Sequence, residues 1–461
     1  MPTLRAGADT TIRARRTPSV TAVTYYPFMR CRDPYGYELT SSPEAARAYN
    51  RGVDSLLRLR SGAEQAVASS LALDPTFAVG HATLALLGHE MCAAIDVGSR
   101  ISDALALAPR ATERERSHVH AVAAHLRGDS RPLIGHLETY PRDAVLLSTA
   151  VPTIAFAGVT DVPAEAWRIV ERAAPAYGDD WWFTGLLAFV RQEQGRFDEA
   201  MDLSCRSLAE EPSAGHSAHA RAHAHYETGD HGAGLAWMDS WVEGAGRRTE
   251  SLSHFSWHAA LHELSLGDLD AVRRRYESQL RPDGALGCRA LVDTGSLLFR
   301  WALTPDAQDV PAMTGVAKAT PDSTLRRPAT PFLALHTAVL LLALDDAAAL
   351  GELEAWAAAH HHPTHREVVA PLARALRDMA SGRCSAAADQ LAALATQTWR
   401  LGGSDAQREV IEEARISALL RAGRLDEARV LLDARLDRRE SPRDRMWRTA
   451  AMRPDPESAL S

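Results

Sequence analysis

From Ser42 onward, apolar residues recur at spacings of three and four, and no stretch alternates apolar with polar for the length of a strand. That period lays apolar side chains along one face of a helix, so the chain reads as helix almost throughout and strands are not expected. The first helix carries its own start signal. In "SSPEAARAYNRGVDSLLRL" a serine stands at the cap, Pro43 at the first helical position and Glu44 behind it. The serine oxygen accepts from an N–H that lacks a helical partner, and proline sacrifices no hydrogen bond there.

One pattern then repeats. "GRFDEAMDLSCRSLAEEP" (195–212), "GDHGAGLAWM" (229–238), "GDLDAVRRRYESQL" (267–280), "GRCSAAADQLAAL" (382–394) and "GRLDEARVLLDARL" (423–436) share a glycine, a polar residue and a small residue opening a helix. "SGAEQAVASSLALDP" (61–75) and "RGDSRPLIGHLETYP" (127–141) are looser copies. Gly195 to Gly229 spans 34 residues, Gly229 to Gly267 spans 38 and Gly382 to Gly423 spans 41. The glycine ends the first helix of a pair, and the small residue lets the second pack close. Pro75, Pro141 and Pro212 stop the second helix. Seven copies predict an all-α fold: a tetratricopeptide-like α-α superhelix, a strongly curved solenoid with an internal groove or cavity.

Residues 1–38 hold Pro18, Pro27 and Pro34 and no helical period. They read as an extended N-terminal arm, with "YYPFM" (25–29) apolar enough to dock; a partly disordered tail is the other reading. Residues 39–461 form the repeat domain, weakly divisible near 300–330. A chain of 461 residues is long for one globular core, which suits an array. Its net charge of −8 removes the electrostatic case for nucleic acid or membrane binding. Lys318 is the one lysine beside 50 arginines, a composition bias rather than a guanidinium signature. Cys31, Cys92, Cys205, Cys288 and Cys384 are dispersed with no CxxC pair, against a disulfide framework or zinc ribbon. No apolar run reaches the roughly 18 residues of a membrane span. The opening "MPTLRAGADTTIRARRTPSV" lacks an apolar signal region, so the expected place is the cytoplasm. There is no GxGxxG, P-loop, GxSxG or EF-hand loop.

The chemistry-bearing feature is histidine. "AGHSAHARAHAHYETGD" (214–230) holds His216, His219, His223 and His225, and "SHFSWHAALHELSLGD" (253–268) holds His254, His258 and His262. At 100° per residue His219 and His223 share a face, and His254, His258 and His262 form a second stripe. Both ladders precede a repeat glycine, so both fall on first helices of consecutive repeats, which line the concave side of such arrays. His219, His223, His254 and His258 are therefore expected to converge. Three readings are open. They hold a divalent metal ion, since histidines at i and i+4 present two ligands from one helix. They act without metal, with Asp293 and an arginine, as acid, base or binding groups for a small polar or anionic molecule. Or they are packing residues of an alanine-rich helix. Asp293 interrupts the apolar stretch "ALVDTGSLLF", where a lone carboxylate is costly unless paired.

Elsewhere, Arg114 and Glu115 suggest either pocket residues or an internal ion pair. Ser404 before Arg408 suggests an anion site at a helix start, or a capping box with Gln407. "DDWWF" (179–183) reads as packing, and His360–His362 in "AHHHPTHRE" as a solvated loop.

The chain resembles the tetratricopeptide-repeat protein 38 family over about residues 33–440. The resemblance rests on "DPYGYELTSSPEAARAYNRGVDSLL", on "DPTFAVGHA" with His81, and on "TERERSH" through Thr112, Arg114, Glu115 and His118. It continues in "HARAHAHYE" with His219 and His223, "HFSWHAAL" with His254, Trp257 and His258, and "LVDTGSLLFR" with Asp293. "REVVAPLARAL" and "LGGSDAQREV" add Arg366, Pro371, Gly402, Gly403, Ser404, Gln407 and Arg408. Two stretches depart: Ala150 and Val151 stand where the family pattern has a His-Asp pair, and Ala334 replaces an acidic residue before His336. The resemblance implies a helical-repeat fold and no established reaction.

The expected function is a helical-repeat protein whose histidine-rich cavity binds a small polar or anionic molecule, as an enzyme of small-molecule or secondary metabolism if it is catalytic. The alternative is a non-catalytic scaffold for a peptide or protein partner. Candidate catalytic residues are His219, His223, His254, His258 and Asp293, the four histidines doubling as metal ligands. Candidate ligand-binding residues are His81, Arg114, His118, Trp257, His336, Ser404, Gln407 and Arg408. A divalent metal ion is the candidate cofactor; the partner is a small molecule before a peptide, with homodimer formation open.

Overall fold

The computed structural model describes residues 31–90, 95–150, 163–249, 252–285 and 288–452, the side chains of 163–166 excepted. The expectations placed on residues 1–30, Cys92 and Val151 lie outside them. Within them are 24 α-helices, several short 3₁₀ and π turns and one two-stranded sheet. The sheet corrects two expectations. Cys31–Arg32 pairs antiparallel with Glu38–Leu39, so the end of the stretch read as an extended arm is a hairpin. Asp33 makes its turn, accepting from the backbone N–H groups of Tyr35 and Tyr37 at 2.9 Å each. Tyr35 then packs its ring against Tyr177 and Trp182.

The helices come in pairs. Pro43–Leu57 packs on Ala63–Leu73, Trp181–Glu193 on Phe197–Glu210, Gly215–Glu227 on His231–Glu243, Leu252–Leu266 on Leu269–Gln279, and Asp405–Arg421 on Leu425–Arg438. First helices also pack on the next first helix: Trp181–Glu193 on Gly215–Glu227, and that on Leu252–Leu266. The pairs close by one device. Gly128, Gly195, Gly229, Gly267, Gly382 and Gly423 all have φ between +70° and +84°. The residue after each donates its N–H to a carbonyl five residues back, as Arg196 does to Arg191 and Asp268 to Glu263. This closure satisfies carbonyls that the helix end leaves open. Gly62 is the exception among the glycines of the pattern. It starts Ala63–Leu73 with φ +96°, while Leu59 takes the closing position at φ +55°. Asp345 does the same at φ +56° between Pro331–Ala343 and Ala347–Ala359, a pair the glycine pattern misses. Helices ending at Leu73, Thr139 and Glu210 stop two residues before Pro75, Pro141 and Pro212.

Distant parts of the chain meet. The tip of the first pair docks on loops some 150 to 190 residues later. Arg58 pairs with Glu211 at 2.8 Å, Arg60 donates to Ser213 at 2.7 Å, and Thr249 donates its hydroxyl to the Leu59 carbonyl at 2.7 Å. At the other end Pro442–Ala450 packs on Leu252–Leu266. The apolar core falls into two main clusters, one drawn chiefly from residues 39–190 and one from residues 226–428. The 300–330 stretch belongs to the second, through Met313 and Val316. Trp182 and Phe183 of "DDWWF" are core residues behind the Asp180 cap. No helix among the described residues is long and apolar enough to cross a membrane.

Candidate metal centre

His219 and His223 stand one turn apart on Gly215–Glu227, and His254 and His258 one turn apart on Leu252–Leu266. Side chains four apart share a helix face, and these two helices pack together, so the two pairs face each other. The four rings meet through Nε2. His219 Nε2 lies 3.0 Å from the Nε2 atoms of His223, His254 and His258, and His258 Nε2 lies 3.2 Å from that of His254. Each residue is about 1% exposed. The ladders were expected to floor one internal groove or cavity, and the rings are enclosed.

A ring nitrogen has one in-plane proton or lone pair, so His219 Nε2 cannot serve three good hydrogen bonds at 3.0 Å. The same spacing suits ligands of one ion. With metal–nitrogen bonds of about 2.0–2.1 Å, neighbouring nitrogens lie about 2.9 Å apart around a square and about 3.4 Å apart in a tetrahedron. The ligand atoms of His219, His223 and His258 all lie within 4.8 Å of one another. Protons compete weakly. Burial, then the neighbouring imidazoles, hold His219 and His258 well below the ordinary histidine value, and burial takes His223 down to about 3. The rings stay neutral with lone pairs available, which metal binding requires.

Asp293 orients one of the four rings. Its Oδ1 lies 2.8 Å from His254 Nδ1, which places the proton there and turns the Nε2 lone pair inward. Burial opposes ionisation of Asp293, but His254, and Arg289 with NH1 3.7 Å from Oδ2, outweigh it and leave the carboxyl below its usual range. Asp293 sits in a π-turn, Ala290–Gly295, which packs on both Leu252–Leu266 and Pro331–Ala343. Such turns re-aim a side chain within an otherwise regular helix.

Aromatic rings wall the centre. Phe189 stacks on His219 with centroids 5.2 Å apart, and Trp257 stacks on His254 at 5.4 Å. The Trp257 indole N–H, His258 Nδ1 and both His336 nitrogens have no hydrogen-bond partner among the described residues. Burial lowers His336 to about 3, and its ring packs on Phe332.

The other candidates fall elsewhere. His81 Nε2 meets the Pro75 carbonyl at 3.0 Å, and Nδ1 faces Arg100. Arg114 and His118 both turn to Asp143 Oδ2, at 2.7 and 2.8 Å, and His136 Nε2 joins at 2.9 Å. Arg114 thus pairs with Asp143 and, at 3.4 Å, Asp33, rather than with Glu115. Glu115 instead completes a capping box with Thr112. Ser404 and Gln407 form the capping box weighed for them, and Arg408 donates to the carbonyls of Gly402 and Gly403 and pairs with Asp405. That helix start is closed by its own side chains. His262, on the same stripe as His254 and His258, pairs instead with His231 at 3.1 Å between Nδ1 atoms.

Sequence reasoning passed over Arg289, Arg300 and Phe189. Arg300 had a signal, a lone charge inside "LLFRWAL". It lies beneath Glu409 and Glu413 and over Trp257 at 5.9 Å. No family model matches the chain.

Proposed function

We propose that the chain is a metal-binding tetratricopeptide-like protein, a strongly curved α-solenoid of the kind its resemblance to the tetratricopeptide-repeat protein 38 family implies. Consecutive first helices hold one divalent transition-metal ion through His219, His223, His254 and His258. The observation carrying this reading is that His219 Nε2 lies 3.0 Å from the Nε2 atoms of His223, His254 and His258. All four ligands are neutral, so a bound dication keeps its charge and attracts a small polar or anionic molecule to a further coordination position. Histidine acting without metal is less well supported. Rings with depressed proton affinity hold no proton to give at neutral pH and are weak bases. A cytoplasmic location fits the dispersed cysteines, none of which forms a disulfide among the described residues.

Elemental analysis and cobalt absorption spectroscopy of purified protein test the proposal. The wild type should hold an ion at this centre, with a cobalt spectrum of nitrogen ligation. His258→Ala should lose it. Asp293→Asn should weaken binding about 10- to 100-fold, as losing an outer-shell carboxylate does. A wild type that takes up no ion, with a His258→Ala variant several kcal/mol less stable, would make these histidines packing residues.

A further inference from the structure

His89 and Glu90 end the Ala78–Glu90 helix, and His125 ends Glu113–His125, which packs on it. His125 Nε2 lies 2.7 Å from Glu90 Oε1, and His89 Nε2 lies 3.8 Å from the same oxygen. The three residues offer ligand atoms all within 4.8 Å of one another. His125 Nδ1 meets the Ser130 hydroxyl at 3.1 Å, so Nδ1 can keep the proton while Nε2 offers its lone pair.

Glu90 is set apart by what it lacks. It is 5% exposed, and its Oε2 has no hydrogen-bond partner among the described residues. Asp143, Glu263, Asp293, Asp378, Glu409, Glu413 and Asp444, also buried, each have an arginine nitrogen within 4 Å. Glu115 instead accepts from the backbone N–H and hydroxyl of both Thr40 and Thr112. Among these buried carboxylates, Glu90 alone has neither a guanidinium nor a full set of donors. Burying a carboxylate in that state is costly unless a cation joins it. The cluster of His118, His136 and Asp143 has similar composition, but Arg114 already supplies its positive charge at 2.7 Å.

We infer that His89, Glu90 and His125 bind a second divalent transition-metal ion, independent of the tetrad. Two imidazoles and one carboxylate form a ligand set that leaves coordination positions open. The His89 side chain is 24% exposed, so those positions reach solvent, unlike the enclosed tetrad. The carboxylate offsets part of the ion's charge, and the ion gives the orphaned oxygen its partner.

The test is a zinc titration of chelator-treated full-length protein, followed by calorimetry and elemental analysis. It compares the wild type with Glu90→Gln, His89→Ala and His219→Ala. The wild type should take two equivalents. Glu90→Gln and His89→Ala should each lose one, with affinity at that site down by more than about 100-fold, while His219→Ala loses the other. If Glu90 only braces His125, Glu90→Gln would shift the metal-free melting temperature and leave the stoichiometry unchanged, which overturns the inference. Loss confined to His219→Ala also overturns it. Loss confined to Glu90→Gln and His89→Ala supports it and removes the tetrad reading. A wild type that binds no zinc overturns both. Should Glu90→Gln not fold, His89→Ala decides, since that ring is partly exposed at a helix end.

Discussion

Burial sets the protonation of single histidines here. Loss of water around the ring takes His216 and His336 down to about 3 and His231 to about 4. The same side chains in an unfolded chain titrate near about 6.5. Below that pH the unfolded state takes up protons that the folded state refuses, so stability is whole above about 6.5 and falls as pH drops toward the folded values. Each such histidine can remove at most about 1.4 kcal/mol per pH unit. Chelator-treated protein should therefore melt markedly lower at pH 5 than at pH 7.5. Equal melting temperatures at the two pH values would mean that these rings are solvated in solution.

At the scale of elements, the left-handed closing residue is what separates one helix of a pair from the next. Two glycines distinguish backbone need from space. Gly195 has φ +72° and open space where a Cβ would stand, so Gly195→Ala should cost only the strain of that backbone, about 1 kcal/mol. Gly215 begins the helix of the first histidine ladder, and a Cβ there would stand 2.7 Å from the Arg58 carbonyl oxygen and 2.8 Å from Leu59 Cβ. Backbone cannot yield as a side chain does, so Gly215→Ala should cost more, about 1–3 kcal/mol, and loosen the docking of the first pair. Urea denaturation of both variants compares them; a larger loss for Gly195→Ala would contradict this account. Asp345 fills the same closing role because aspartate tolerates left-handed backbone, which is why a search for glycine missed that pair.

Across the whole molecule, a buried ion network ties the C-terminal segment to the middle of the chain. Arg443 donates to Glu413 at 2.9 Å, to the Arg300 carbonyl at 2.7 Å and to Thr304 at 2.8 Å. Arg435 meets Asp444 at 2.9 Å, and Arg439 donates to Tyr226 at 3.0 Å. Arg443→Ala removes the nearest of three guanidinium groups around Glu413, leaving Arg300 and Arg435, and should cost about 1–3 kcal/mol in urea denaturation. Arg131→Ala, at an exposed pair with Asp129, should leave the midpoint unchanged. A null result for Arg443→Ala would mean that Pro442–Ala450 does not hold the helices it packs on.

Helix period, capping residues, closing glycines and stopping prolines act over a few residues, so the all-α fold and most helix pairs were legible in the sequence. So was the pairing of His219 with His223 and of His254 with His258, since four residues make one turn. Tertiary structure decided the rest. It enclosed the rings, because both helices carrying them are packed nearly all round. It took His118 and Arg114 to Asp143 and set His262 against His231. It also gave Asp293 both His254 and Arg289. Such partners depend on helix rotation and on contacts between distant residues, which no local pattern encodes. The Leu59 turn shows the same limit: its left-handed backbone lies against Gly215, more than 150 residues away.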